Sequence, residues 1–142
     1  KVIAGFVVCN DVSVRDWQMK SQTFTLGKSF DTHSPFGPYI VTPDEVGDPH
    51  QLDIKTWVNG EIRQDSNTRH LVFDCYDQIE TLTKAFTLEA GDLIMTGTPA
   101  GVGIGFKPMI YLKENDVVKI EIENIGVIEN KVIKEPETTK LM

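Results

Sequence analysis

LDIKTWVNGEIRQDSNT, residues 52–68, decides the fold class. Leu52, Ile54, Thr56 and Val58 alternate with Asp53, Lys55 and Trp57, the period of two that sends alternate side chains to opposite faces of a strand. Asn59-Gly60 follows, before Ile62. Both residues tolerate positive φ, so the stretch predicts a β-hairpin closed by a type I′ turn. Downstream, Asp74 precedes Tyr76, Ile79, Leu82 and Phe86, an apolar stripe at helical spacing, with Asp77 placed to favour the N-terminal end of the helix dipole. That stripe predicts a helix packed on a sheet. LEAGDLI (88–94) and LKENDVV (112–118) repeat one pattern in which Gly91 and Asn115 are types that enter the left-handed region, so each reads as a turn launching a strand. Strands are expected over 117–122 and 126–133. GTPAGVGIG, 97–105, is too glycine-rich for the interior of an element and suits close approach of backbone amides to a ligand.

Upstream of the hairpin, Tyr39 to Thr42 reads as a brief strand and Pro43-Asp44-Glu45 as the turn after it. From Ser21 to Pro38 the Gly, Ser, Thr and Pro content predicts a loop with restricted backbone angles. Ser13 is a candidate cap for a short helix through Arg15, Asp16, Trp17 and Gln18, which would put Arg15 and Gln18 on one face. Val2 to Cys9 is a buried strand in prospect, delivering Asp11 to its end. The architecture is therefore mainly β with one or two short helices, in a single domain over 1–134 followed by a polar tail, 135–142. A chain of 142 residues should bury roughly 68% of its unfolded surface.

With 21 acidic against 14 basic residues, the chain lacks the cationic surface that binds nucleic acid. No apolar run approaches the length of about 20 residues that a membrane helix needs. Cys9 and Cys75 form no C-x-x-C pair and read as buried free thiols, which fits a reducing compartment such as the cytoplasm. Lys1 is followed at once by VIAGFVV with no initiator methionine, which leads us to expect a start inside a longer protein.

Chemistry concentrates in Asn10–Thr32. Asp11 is an isolated acid, and a lone aspartate is more readily a turn residue bonding its own backbone; magnesium or manganese needs several oxygens. A lysine such as Lys28 is more often a surface cation than a catalyst, but in L-G-K-S its small neighbours allow it to point into a pocket instead of into water. GTPAGVG lacks the Lys and Ser/Thr of a P-loop and does not open a helix as a dinucleotide fingerprint does. His33, His50 and His70 match no zinc spacing. Trp17 and Trp57 read as core or interface residues. Residue chemistry alone stops at a β-rich soluble domain with a candidate acidic metal site.

Five ordered segments carry a resemblance: NDVSVRDWQ, LGKSFDT, SPFGPYIVT, WVNGEIRQDSNT and GDLIMTGTPAGVG. Together, over Val2 to about Val132, the chain resembles the fumarylacetoacetate hydrolase superfamily, nearest to its acylpyruvase, oxaloacetate tautomerase or decarboxylase, and homoprotocatechuate-pathway isomerase and decarboxylase members. The resemblance implies a β-sandwich or roll of mixed sheets and a homodimer. It implies a small 2-oxo or 1,3-dicarbonyl acid as substrate, and Mg2+ or Mn2+, with Ca2+ as a further candidate. Asp11 falls on the family's metal aspartate, Gln18 and Lys28 on its active-site glutamine and lysine, and Thr32 and Thr98 on its substrate-side threonines. A metal-bound enolate stabilised by Lys28 would serve C–C hydrolysis, tautomerisation and decarboxylation alike. The family's Glu-x-Glu metal pair and its His-Glu base lie upstream of the Asn10-Asp11 motif and are expected either before Lys1 in a longer enzyme or from another chain. Glu121-Ile122-Glu123 has that form but lies in an alternating strand and reads as a solvated face. The competing expectation is a β-rich binding or interaction module, or an inactive fragment, performing no chemistry.

Overall fold

A computed structural model describes residues 2–137. Among the described residues six strands form two antiparallel sheets: β1 (Phe6–Cys9) pairs with β2 (Phe36–Val41), and β3 (Asp53–Val58), β4 (Glu61–Asn67), β5 (Val117–Ile122) and β6 (Gly126–Lys131) lie in the order β4-β3-β5-β6. Three helices join them, α1 (Arg15–Gln18), α2 (Pro43–Val46) and α3 (Cys75–Thr83), the first two being single turns. The mainly β expectation holds, and the last stretch of the expected tail, 138–142, lies outside the described residues.

The hairpin forms as its sequence dictates. Asn59 has φ 52° and Gly60 φ 81°, the paired positive values of a type I′ turn. Asn59 also ties this turn to the next strand, its Oδ1 accepting from Val117 N at 2.8 Å and its Nδ2 donating to Asp116 Oδ1 at 2.9 Å. That donated hydrogen bond is the main reason the Asp116 carboxyl is held below its ordinary range. The two repeated turns are built alike. Glu89 N donates to Asp92 Oδ2 at 2.8 Å and Lys113 N to Asp116 Oδ2 at 2.7 Å, with Gly91 and Asn115 at positive φ. Only the second launches a strand, β5; residues 92–99 join no ladder.

Val8 and Val41 from the small sheet meet Val118 and Ile120 from the large one, and Val46, Leu52 and Ile125 complete the cluster. This core is thinner than length alone suggests. A self-contained domain of 15.9 kDa exposes about 7,400 Å², whereas this chain exposes 10154 Å², so it buries about 56% of its extended-chain surface instead of roughly 68%. The excess is partly apolar: Phe36, Tyr39 and Ile40 on β2, Val72, Phe73 and Tyr76 around the start of α3, and Met109 and Tyr111 are all more than half exposed.

Other local expectations change as well. Strand β2 begins at Phe36, not Tyr39, and contains Pro38; the proline is tolerated because a two-stranded sheet leaves each strand an unpaired edge. Ser13 does not cap α1: Val14 holds the capping position without a side-chain bond, and its own N–H donates to Gly27 O at 2.9 Å. Helix α3 does not bury its stripe on a sheet, since of its residues only Cys75 is buried. Its first turn is instead held by polar contacts, with Asp74 Oδ1 accepting from Tyr76 N and Asp77 N, both at 2.8 Å, and His50 Nε2 accepting from Cys75 N at 3.1 Å. Asp74→Ala should therefore lower stability by about 1 kcal/mol, read from the denaturant midpoint. An unmoved midpoint would show that His50 alone secures the turn.

Candidate functional site

Strand β1 ends at Cys9, and Asn10 N donates to Pro35 O at 2.9 Å, fixing the exit of the chain toward Asp11. Lys28 closes a 3-10 turn over Thr25–Lys28. The two residues are 17 apart in sequence, yet Lys28 Nζ lies 2.7 Å from Asp11 Oδ2, with the two side chains 32% and 38% exposed. What brings them together is the contact between α1 and the 3-10 turn. Gly27 is buried against Gln18, so that a Cβ on it would lie 2.5 Å from Gln18 Cα, and the Val14 N–H to Gly27 O bond closes the loop.

Gln18 thus packs beside Gly27, and its Oε1 accepts from Arg15 Nη1 on the same helix face, as the sequence spacing predicts. Thr32 is placed differently. It lines a cleft of about 500 Å³ with Val14, Trp17, Leu26, Phe30 and His33, and neither Asp11 nor Lys28 is among the cleft-lining residues. Its φ is 64°, a left-handed value that costs a β-branched residue of order 1–3 kcal/mol and that recurs at functional loops. Thr98 belongs to the glycine-rich loop, exposed, with its Oγ1 accepting from Gln64 Nε2 at 2.9 Å. The structure joins Asp11, Lys28 and, through Gly27, Gln18, while Thr32 lines the cleft and Thr98 is held by Gln64.

Two glutamines escaped the sequence reading. Gln64 of β4 holds Thr98 and donates to Pro99 O at 2.8 Å, while Gln78 of α3 donates to Phe73 O at 2.9 Å and Thr96 O at 3.2 Å. Between them the Thr96–Pro99 loop is held from both sides of Gly97, whose φ is 126°. The alternation of β4 marks Gln64 only as a strand residue, and nothing local announces its partner 34 residues away. Gly101 and Gly103 of this loop serve packing more than ligand approach: a Cβ on Gly101 would overlap Arg63 O, and one on Gly103 would overlap Ile110 O.

Neither thiol is poised as a nucleophile. Burial, and secondarily the Asp11 carboxylate, push the Cys9 thiol up, and burial does the same at Cys75. His33 packs its ring 5.5 Å from Phe30, its Nδ1 is buried without a partner among the described residues, and burial lowers its pKa. The sign follows: the unfolded chain takes up a proton below the ordinary histidine range while the folded site resists it, so His33 costs stability as pH falls below about 6.5. His33→Phe should remove that part of the acid sensitivity and stabilise the protein by about 1 kcal/mol, because an unsatisfied polar atom is replaced by carbon. Denaturant midpoints at pH 5 and pH 8 measure both; an unchanged difference between the two pH values would clear His33 of the effect.

For a divalent metal the donor set is short. Among the described residues no three His, Cys, Asp or Glu side chains gather to hold an ion, and Asp11 is already engaged by Lys28. Magnesium and calcium take six or more oxygens. The residues present do not by themselves fit the metal that the resemblance implies. Glu121 and Glu123 do not change this, both being exposed, with Glu123 Oε2 accepting from Asp53 N at 3.1 Å.

Comparison with known proteins gives a consistent picture. The family model described as fumarylacetoacetate (FAA) hydrolase C-terminal matches residues 1–133. Mitochondrial oxaloacetate tautomerase Fahd2a of Rattus norvegicus is 52% identical over 132 residues, and oxaloacetate tautomerase FAHD2A of Bos taurus 51% over 133, each alignment covering 92% of this chain and 42% of the relative. A solved fumarylacetoacetate hydrolase from psychrophilic Exiguobacterium antarcticum superposes with a TM-score of 0.88 at 45% identity, over 93% of this chain and 47% of that one. The chain thus spans less than half the length of each of these three relatives. Among the described residues no helix is long and apolar enough to cross a membrane.

Proposed function

The chain belongs to the fumarylacetoacetate hydrolase family, and on that premise we propose that it forms part of the catalytic centre of an enzyme acting on small 2-oxo or 1,3-dicarbonyl acids. The favoured reaction is keto–enol tautomerisation of an oxaloacetate-like dicarboxylic acid; C–C hydrolysis and decarboxylation pass through the same enolate. The observation that carries this reading is the Asp11–Lys28 pair at 2.7 Å, built by packing Gly27 on Gln18, in a chain 52% identical to a protein named as an oxaloacetate tautomerase.

In this reading Lys28 presents a fixed positive charge to the oxygen on which enolate charge grows, and Asp11 orients the ammonium before substrate arrives. Gln18 carries an amide that orients the substrate beside Lys28. Thr32 and Thr98 offer hydroxyls to its carboxylate or carbonyl oxygens. Dependence on Mg2+ or Mn2+ belongs to the same proposal, with Asp11 as one ligand and the remaining donors outside the described residues; a metal so held would act as a Lewis acid. A homodimer in the cytoplasm or mitochondrial matrix is also proposed. What supports a partner surface is the exposed apolar side chains of β2 and the start of α3, part of an excess of about 2,800 Å² over a self-contained domain, set against the roughly 800 Å² that each partner contributes to a standard interface.

The test uses the full-length protein. Enol-oxaloacetate absorbs in the ultraviolet, and its decay should accelerate in proportion to enzyme with magnesium or manganese present. No acceleration over buffer, together with no calorimetric heat on titrating oxalate, would replace the enzyme reading with a binding or interaction module.

A further inference from the structure

We propose that Gln64 is a positioning residue that fixes the direction of the Thr98 hydroxyl, turning it into a donor toward an anionic oxygen of the substrate; this rests on the reading that Thr98 contacts substrate. The Pro99 carbonyl oxygen can only accept. It lies 2.8 Å from the end of the Gln64 side chain, so the atom facing it must be the amide nitrogen. The other end, Oε1, then faces Thr56 Oγ1 at 2.8 Å, and the Thr56 hydroxyl must donate. Thr56 is 7% exposed, so this hydroxyl is fixed away from solvent.

The two protons of the Gln64 amide are thereby assigned, one to Pro99 O and one to Thr98 Oγ1 at 2.9 Å. A threonine hydroxyl has one proton. Since Thr98 Oγ1 accepts from Gln64, its own proton points elsewhere, and Thr98 is exposed. The exposed hydroxyl is therefore a donor, polarised by the bond it accepts, and suits a carboxylate or enolate oxygen better than a ligand N–H. Gly101 keeps space for this arrangement, because a Cβ there would stand 3.0 Å from Gln64 Cγ and overlap the Arg63 carbonyl. Gln78 secures the loop's other side through Thr96 O.

A double-mutant cycle in the full-length protein tests the role, with KM and kcat measured on oxaloacetate for Gln64→Met, Thr98→Ala and the double variant. Loss of a hydrogen bond to a charged group corresponds to about 10- to 100-fold in binding, so each single variant should raise KM by that factor with a smaller change in kcat. The double variant should match Thr98→Ala alone. If Thr98→Ala leaves KM unchanged, the substrate-contact reading fails and this proposal with it. If Thr98→Ala raises KM but Gln64→Met does not, or the two effects multiply, only the positioning role is overturned. The isosteric Gln64→Glu variant guards against misfolding of the methionine form. Its carboxylate cannot donate to Thr98, so its KM relative to wild type should be high at neutral pH and fall as acid restores a proton; a ratio flat with pH overturns the proposal.

Discussion

Lys28→Ala in the full-length protein is expected to lower kcat for enol–keto conversion by about 100- to 1000-fold, the loss found when one preorganised group facing a developing oxyanion is removed. The lysine is suited to that role because its position is set before substrate binds. Lys28 ends a 3-10 turn whose preceding residue, Gly27, is buried against Gln18, and its ammonium is anchored 2.7 Å from Asp11. With a third of the side chain exposed, the pair itself adds little to stability, as exposed ion pairs do. The substitution should therefore leave the denaturant midpoint almost unchanged while removing turnover. KM should move less than kcat, because charge on the enolate oxygen develops in the transition state and is only partial in the ground state. Lys28→Arg should recover little, since a guanidinium would form a bidentate fork with Asp11 and point its charge at the carboxylate. A Lys28→Ala enzyme with wild-type kcat would remove Lys28 from the mechanism and return the Asp11 pair to a surface role.

What the sequence shows depends on the range over which each feature is decided. The type I′ turn at Asn59-Gly60, the Asp74 cap and the matched turns at Gly91 and Asn115 are settled within four residues, and each is visible in the letters. The stripe on α3 is visible too, but periodicity reports which face is apolar, not whether anything covers it; Tyr76 and Phe86 stay more than half exposed. The same limit applies after Gly91, where a turn identical in form to the one at Asn115 launches no strand, because a strand needs a neighbour and a turn does not. In the site, Asp11 and Lys28 could be named from their motifs, yet their contact depends on a glycine packing on a helix backbone. Gln64 and Gln78 act across 34 and 18 residues and carry no local signature.

The glycine that makes the Asp11–Lys28 contact carries the second large expectation. Gly27→Ala places a methyl 2.5 Å from Gln18 N, Cα and Cβ at once. Two of those atoms are backbone, so no rotamer change relieves the overlap, and either α1 or the 3-10 turn must move. Overpacking of this kind costs about 3 kcal/mol where backbone must shift, and separating the two elements also weakens the Val14 N–H to Gly27 O bond. Gly60→Ala is the contrast: nothing lies within 4 Å of its added Cβ, and only its φ of 81° resists, so its cost should be about 1–2 kcal/mol with turnover intact. In the Gly27 variant, kcat should fall even at temperatures where the protein remains folded, because Lys28 is the next residue and moves with the turn. A 1 Å displacement of a catalytic group costs about 100-fold. If Gly27→Ala instead keeps both its midpoint and its turnover, α1 is free to slide on the turn, and the alignment of Lys28 with Asp11 must be imposed by something other than this contact.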